Sequence, residues 1–546
     1  MRKLPFLFLL PLLAGCSLLS GQSTTDSFEE SSSASGSIAD ESSSSLDEAS
    51  SSLEIASSES GVSEELSSSV MESRALDVYA INDFHGQVKE EDGYPGIEIL
   101  GSYLKQKKEK EGALLLSSGD MFQGSLESNY NRGHLLTDVM NAAHFDAFSL
   151  GNHEFDWGKQ AIRDNKSRKG KDGYQTPFLS ANLYDFSGTA PGKIQQSDLG
   201  GEYAVTIADN GLKVGIIGTI GSAQITSVSS QNVADLTFKD PVPIICSLSD
   251  KLRTEENCDV VIVSHHGPQS GLLGQNITSV SSVSNKRYVD LVLCAHTHTH
   301  ENTFENGVLF TQNNDKGEDL SHVYLTVEPN GDVKAKLETI YPDSMKESEI
   351  DSEIHELVSS YAEATDPIGK EVLGTVKGSF GNKLEAPNLM AGAVLHEALD
   401  RGFEVDLAMV NVARKGLDSG TLTYSALFES FPFDNEIYIL EASGSDIINE
   451  ARHNYVARNR EAAFSTNGTF KIAVIDYVAL HQNLQRVYDY FPSGSVLGTL
   501  KDGGTPRLYR EILADAIRNG ASLNSTEYTF SNPRYNRFNL ESAVSF

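Results

Sequence analysis

Phe148-Ser149-Leu150-Gly151-Asn152-His153-Glu154-Phe155-Asp156-Trp157-Gly158 packs an amide, an imidazole and two carboxylates into five residues behind a glycine. The apolar run just before it, Ala147 to Leu150, reads as a short strand, so these groups are presented on a tight turn at a strand end. Alone, such a turn reads more readily as a polar surface loop. Four other stretches repeat the pattern: Asn82-Asp83-Phe84-His85, Gly119-Asp120, His265-His266-Gly267 and His296-Thr297-His298. Each follows an apolar, strand-like segment: DVYAI, ALLLSS, DVVIVS and DLVLCA. Strand after strand ending in Asp, His or Asn is how an α/β scaffold gathers polar ligands along one edge of a sheet.

Outward from these motifs the chain divides by pattern. Leu76 to Ile81 alternates as a half-buried strand does, and GIEILGSYLKQKKEKEG reads as a helix with a basic outer face. HLLTDVMNAAHFDAFSL is a helix followed by a strand, and HVYLTVEPNGDVKAKLETI is a hairpin turning at Asn330-Gly331. Residues 74–343 form one expected domain. MKESEIDSEIHELVSSYAEATDPIG predicts a connector helix, 344–366, closed by Pro367 and Gly369. Residues 367–546 alternate strand and helix patterns and predict a smaller α/β domain with its own core.

The N-terminus, MRKLPFLFLLPLLAGC, has a basic start, a short apolar run and a small-residue site, the form of a secretory signal over residues 1–16. Its end, Leu13-Ala14-Gly15-Cys16, resembles the bacterial lipoprotein cleavage box, which makes a lipid on Cys16 the expected membrane anchor and the localisation extracytoplasmic. Residues 17–73 are Ser, Glu, Asp and Ala with almost no aromatics, a composition too polar to offset its ordering entropy, and read as a disordered tether. The net charge of −33 argues against a nucleic-acid polymer as partner. It leaves a small phosphorylated ligand open, because bound cations reverse the local sign. Of the four cysteines, Cys258 and Cys294 sit in or beside apolar strands and read as buried free thiols, with a Cys246–Cys258 bridge the alternative.

Asp83 and His85, two apart at a strand end, can turn toward one cation, and His296 and His298 repeat the spacing. Asp120 follows a glycine and has room to bridge two ions, while Asn152 and His265 add oxygen and nitrogen donors. Imidazole, carboxylate and amide without thiolate suit two Mn, Zn, Fe or Co ions, and such a pair activates water and clamps a phosphate for in-line attack. His153 is placed to donate to the phosphoryl or leaving oxygen, with Asp156 orienting its ring. His144 and His300 read as structural histidines; His266 fits either role.

Taken together, Asp83-x-His85, Gly119-Asp120, Gly151-Asn152-His153-Glu154, His265-x-Gly267 and His296-x-His298 look like the signature of the calcineurin-like metallophosphoesterases. With a second domain following, the chain is similar to the secreted 5′-nucleotidase / UDP-sugar hydrolase / 2′,3′-cyclic-nucleotide phosphodiesterase family. The resemblance implies a four-layer α/β sandwich and then a smaller 5′-nucleotidase C-terminal domain. It also implies one metal on Asp83, His85, Asp120 and His298, a second on Asp120, Asn152, His265 and His296, and a His153–Asp156 dyad. The implied activity is phosphate release from nucleoside 5′-monophosphates. UDP-sugar hydrolysis, cyclic-nucleotide hydrolysis and a non-catalytic surface binding lipoprotein are the alternatives.

In the second domain the family binds its nucleotide through an Arg-terminated loop and two aromatic residues. Asn411 and Arg414 stand in a shortened version of that loop, and Phe433 and Tyr477 match the aromatics, with ordinary core packing as their other reading. Leu480-His481-Gln482-Asn483 departs from the family's Gly-Gly-Asp-Gly, and the Arg-containing segment upstream of Asn388 is altered.

Overall fold

Period-two burial on both faces defines the strands. In Arg74–Ile81, Val78 and Ala80 enter one apolar cluster while Tyr79 and Ile81 enter another. In Val260–His266, Val260 and Ile262 face the first of these clusters, and Val261 and Val263 face a third. Strands buried on both sides belong to sheets covered on both sides. The computed structural model describes residues 72–186, 195–480 and 490–546, and from Val70 on the chain forms one compact unit. The leader with Cys16, nearly all of the Ser-rich tether, and His481-Gln482-Asn483 lie outside the described residues.

Two six-stranded sheets make the sandwich. The first runs, in spatial order, Val333–Ile340, Leu320–Val327, Arg74–Ile81, Leu114–Ser117, Ala147–Ser149 and Phe178–Leu179. The second runs Glu301–Glu305, Val308–Gln312, Leu291–Leu293, Val260–His266, Lys213–Ile220 and Tyr203–Ile207. Val78, Leu114, Leu116, Val214, Ile216, Val260 and Ile262 fill the space between them. Helix Gly96–Glu111 covers the first sheet with Ile97, Leu100, Tyr103 and Leu104, and ends on Gly112 at φ 65°, whose N–H reaches the Lys108 carbonyl. Helix Pro241–Thr254 covers the second with Ile245, Leu248 and Leu252, after Asp240 accepts the Val242 N–H as an N-cap. The layers are therefore helix, sheet, sheet, helix. The expected hairpin is present, Leu320–Val327 pairing antiparallel with Val333–Ile340 around Gly331 at φ 86°.

Helix Ser352–Gly369 follows, its first N–H groups accepted by Asp351. Pro367 does not stop it but lies inside the last turn, where the missing N–H forfeits a single helical bond. Beyond it a five-stranded sheet, Tyr455–Arg458, Leu407–Val410, Thr469–Ile475, Ile437–Ser443 and Ser495–Thr499, packs with helices Glu385–Asp400 and Tyr509–Arg518 around a separate core. Leu126, from the short helix Leu126–Tyr130, is buried in that C-terminal core. Beside it, Asn129 donates to the Pro432 carbonyl at 3.0 Å. Cys246, Cys258 and Cys294 are free thiols.

Candidate active site

Parallel pairing brings the ends of both sheets' central strands to one edge. Arg74–Ile81, Leu114–Ser117 and Ala147–Ser149 run parallel in the first sheet, as do Lys213–Ile220, Val260–His266 and Leu291–Leu293 in the second. The loops that leave these ends are tied to one another by backbone bonds. Asp83 N–H donates to Gly119 O at 2.9 Å, His85 N–H to Asp120 O at 3.0 Å, and Ala295 N–H to Gly267 O at 3.1 Å. Glu154, buried, accepts the N–H groups of Gly151 (2.7 Å), Asp120 (2.9 Å) and Met121 (3.0 Å), joining two of the loops through one carboxylate.

Five side chains at this edge sit on left-handed backbone: Asp83 (φ 50°), His85 (49°), Asp120 (55°), His296 (82°) and His298 (54°). Such conformations cost about 1–3 kcal/mol each outside glycine and persist where surrounding structure enforces them. With His153 and His266, these side chains form three groups, in each of which the ligand atoms lie within 4.8 Å of one another. They are Asp83 with His85 and His298, His85 with Asp120 and His153, and Asp120 with His266 and His296.

The donor set fits divalent cations. His85 Nδ1 donates to the Gln123 carbonyl at 3.1 Å, leaving Nε2 with a bare lone pair that meets His298 Nε2 at 2.9 Å. Asp83 Oδ1, 3.5 Å from that His298 nitrogen, is buried with no hydrogen-bond partner among the described residues. Burial, with His298 beside it, holds His85 well below the usual imidazole range, and burial with His266 beside it brings His296 down to about 4, so both rings are neutral and keep a lone pair for a cation. Asp120 belongs to two of the groups, as a bridging carboxylate does.

The strand register brings His266, and not the expected His265, into the donor groups. Ser264 and His266 share the face of Val260–His266 that points between the sheets, where Ser264 Oγ reaches Ser117 O at 3.1 Å. His266 Nδ1 donates to Ser118 O at 2.8 Å, and its Nε2 meets Asn152 Oδ1 at 3.1 Å and Asp120 Oδ2 at 3.3 Å. Against the cost of burial, Asp120 pushes this ring up to about 9, and a ring donating from both nitrogens is a cation. A divalent ion would take the place of that Nε2 proton among the same oxygen donors. His265 is on the opposite face, its Nδ1 against Thr219 Oγ1 at 2.9 Å, and it is absent from the three groups. His144 pairs with Asp172 and stacks on Tyr174, and His300 pairs with Asp319; neither belongs to the groups.

His153 Nδ1 donates to Asp156 Oδ2 at 2.8 Å, and Arg414 Nη2 donates to His153 Nε2 at 3.2 Å. Despite burial, the facing Asp156 and Asp120 raise the His153 pKa. The Phe433 ring stacks on His153 at 5.7 Å between centroids, with the Arg414 guanidinium 4.9 Å above Phe433. Residues far apart in the chain thus meet over the polar cluster. A cavity of about 550 Å³ opens here, lined by Asp120, Asn152, His153, Asn411, Phe433 and Tyr477 among others. Phe433 and Tyr477 are half-buried and also pack on the C-terminal core, so each serves both readings. The sequence did not point to Arg510, buried behind this wall, which donates to the Phe431 and Phe433 carbonyls at 3.0 Å each and to Asp434 at 2.9 Å. An arginine on the face of a helix carries no local signal of such a role.

Residues 76–300 match the calcineurin-like phosphoesterase family, and residues 372–461 match the 5′-nucleotidase C-terminal domain. Endonuclease YhcR of Bacillus subtilis is 25% identical over 421 residues, 71% of this chain and 33% of that protein. The 5′-nucleotidase of Rattus norvegicus is 32% identical over 206 residues, 37% of this chain and 32% of that protein. The chain therefore spans only 33% and 32% of the lengths of these two relatives. The crystal structure of a 5′-nucleotidase precursor from Thermus thermophilus shares the fold with a TM-score of 0.65 and 19% identity, over 82% of this chain and 96% of that one. In chain order, residues 76–300 therefore form a calcineurin-like phosphoesterase domain and residues 372–461 belong to a 5′-nucleotidase C-terminal domain.

Proposed function

We propose that the chain is a two-metal phosphohydrolase that releases phosphate from nucleoside 5′-monophosphates outside the cytoplasm, anchored through a lipid on Cys16. The observation that carries the reading is the meeting of Arg414 and Phe433 with the His153–Asp156 pair, directly over the clustered donors. One cavity then holds both an ester-cleaving edge and aromatic walls for a nucleoside.

In this reading Asp83, His85, His298 and Asp120 hold one ion, and Asp120, Asn152, His266 and His296 the other. The pair, Mn, Zn, Fe or Co, supplies water activation and charge neutralisation of the phosphate when bound. The remaining work falls to the chain. With substrate bound, Arg414 exchanges its contact with His153 Nε2 for a phosphoryl oxygen, which frees that nitrogen to carry a proton. Asp156 fixes that ring by its Nδ1 proton, so Nε2 faces the cavity, and a proton held there passes to the leaving ester oxygen. Phe433 and Tyr477 give the base apolar surface, and Asn411 faces the nucleoside. Among the described residues no helix is long and apolar enough to cross a membrane.

A second reading, a phosphodiester or pyrophosphate substrate such as a nucleotide sugar or a 2′,3′-cyclic nucleotide, is favoured by a second cavity. It holds about 170 Å³, shares His298 and Arg414 with the first, and is lined by His85, Lys89, Lys316 and Lys415. It offers room for another substituent on phosphorus. The test is phosphate or nucleotide release from AMP, UDP-glucose, 2′,3′-cyclic AMP and an aryl phosphate, with metal-stripped protein and after adding Mn. Release from AMP above the others supports the first reading, and preference for the diesters supports the second. Silence on all four would leave a binding protein.

A further inference from the structure

Between helix Leu126–Tyr130 and helix His134–Ala142 the chain turns through Arg132 at φ 53° and Gly133 at φ 87°. Glycine adopts such backbone freely, whereas for an arginine it is strained. The turn is nonetheless fixed. The Arg132 N–H donates to Asn129 O at 2.9 Å, the Gly133 N–H to Ser128 O at 2.9 Å, and the buried Asn165 donates its amide to Arg132 O at 2.7 Å. Strain enforced in this way is found where the position of a side chain matters. The Arg132 side chain is exposed and lines the larger cavity with Asp156, Trp157 and Asn232, so it stands at the rim.

Its guanidinium has no carboxylate partner among the described residues. Carboxylates are nevertheless plentiful: the chain carries 76 of them against 43 lysines and arginines. The cavity itself is lined by Asp120, Asp156, Asp434, Glu436 and Asp476, against the two arginines Arg132 and Arg414. Arg414 already contacts His153 and Phe433. Arg132 is left as a bare cation where an anion entering this acidic cleft must pass.

We infer that Arg132 draws phosphate anions into the cavity past its carboxylates and ranks them by charge, favouring monoester dianions over diester monoanions. A charge at the rim of a cleft with low-dielectric walls is focused on the entry path, and the gain grows with the charge of the ligand. A phosphate monoester carries close to two charges above about pH 6, and a diester only one. An effect of about tenfold on the dianion is therefore about threefold, its square root, on the monoanion. The inference rests on the phosphohydrolase reading proposed above, but not on its nucleoside, because an aryl phosphate is the same dianion.

The experiment measures kcat/KM for AMP, an aryl phosphate and 2′,3′-cyclic AMP, using the full chain with Mn. Each is run at about 0.01 M and about 1 M salt, where screening lengths are about 30 Å and 3 Å. The variants are Arg132→Gln, which removes the charge, and Arg132→Lys, which keeps it. The ratio between the two salt conditions is read on a single preparation, so it does not depend on how much of a variant folds. At low salt Arg132→Gln is expected to lower kcat/KM about tenfold for both monoesters and about threefold for the cyclic diester, more through KM than kcat. The deficit is expected to fade at high salt, and Arg132→Lys to keep most of the wild-type efficiency. No fall at low salt, a fall that persists at high salt, or an equal fall for both charge classes overturns the inference. If the wild type cleaves the aryl phosphate and not AMP, the nucleoside part of the earlier reading fails while the salt-sensitive fall on the aryl ester still supports Arg132. Should no ester turn over, calorimetry with inorganic phosphate takes their place. A salt-sensitive weakening of about tenfold in Arg132→Gln then supports the inference, and equal or absent binding overturns it.

Discussion

Substituting Gly151 by alanine tests whether the close approach of two loops builds the site. A Cβ there would lie 2.6 Å from the Asp120 backbone nitrogen and 2.8 Å from His266 Cε1, and it would also run into Asp120 Oδ1. Ordinary contact begins near 3.4 Å, so Asp120 would have to retreat by roughly 0.8 Å. Asp120 N–H is held by Glu154 and its carbonyl by the His85 N–H, so the retreat strains both. Overpacking of this kind costs about 1–3 kcal/mol of stability. The functional loss should be larger, because Asp120 and His266 shift together within the metal groups, and a displacement near 1 Å costs about a hundredfold in rate. The assay is Mn-dependent hydrolysis of an aryl phosphate with thermal melting alongside. Gly498→Ala, whose Cβ would find only Phe403 at 3.8 Å, serves as the control. Wild-type rate and Mn affinity in Gly151→Ala would refute the argument that this approach shapes the site.

His266→Ala should weaken Mn binding, measured by calorimetry, far more than His265→Ala; the reverse order would return the ligand role to His265. Arg510→Ala frees the loop that carries Phe433 and should raise KM for AMP more than it lowers kcat, which steady-state kinetics will read. Leu126→Ala empties part of the C-terminal core from outside its own sequence region and should cost about 2–5 kcal/mol in denaturant unfolding. Glu450, pushed up to about 7 by burial and by Asp446, binds its proton more tightly folded than unfolded, so its contribution makes stability fall as pH rises from its ordinary value near 4.5 to about 7. Glu450→Gln should flatten that fall in melting curves taken across the range.

The sandwich and the place of its site were legible because the polar residues follow strands whose ends share one edge. Asp83, His85, Asp120, Asn152, His296 and His298 were picked out as candidates from strand boundaries alone. Choosing between His265 and His266 needed the register of Val260–His266, since neighbouring strand residues face opposite ways and a one-residue error exchanges them. The left-handed backbone at Asp83 and Asp120 was not written in residue type, because tertiary contacts impose it. Leu126 in the C-terminal core and Arg510 behind Phe433 are long-range contacts, invisible to local periodicity. Pro367 suggested a helix end by rule, yet a last turn tolerates it.

The most direct measurement is phosphate release from AMP by metal-stripped protein titrated with Mn, for the wild type and His153→Ala. The account predicts no release without metal and activity that saturates as two ions bind per chain. It also predicts a loss of about a hundredfold or more in His153→Ala at saturating Mn. Turnover by the stripped protein, or full activity in His153→Ala, would contradict it.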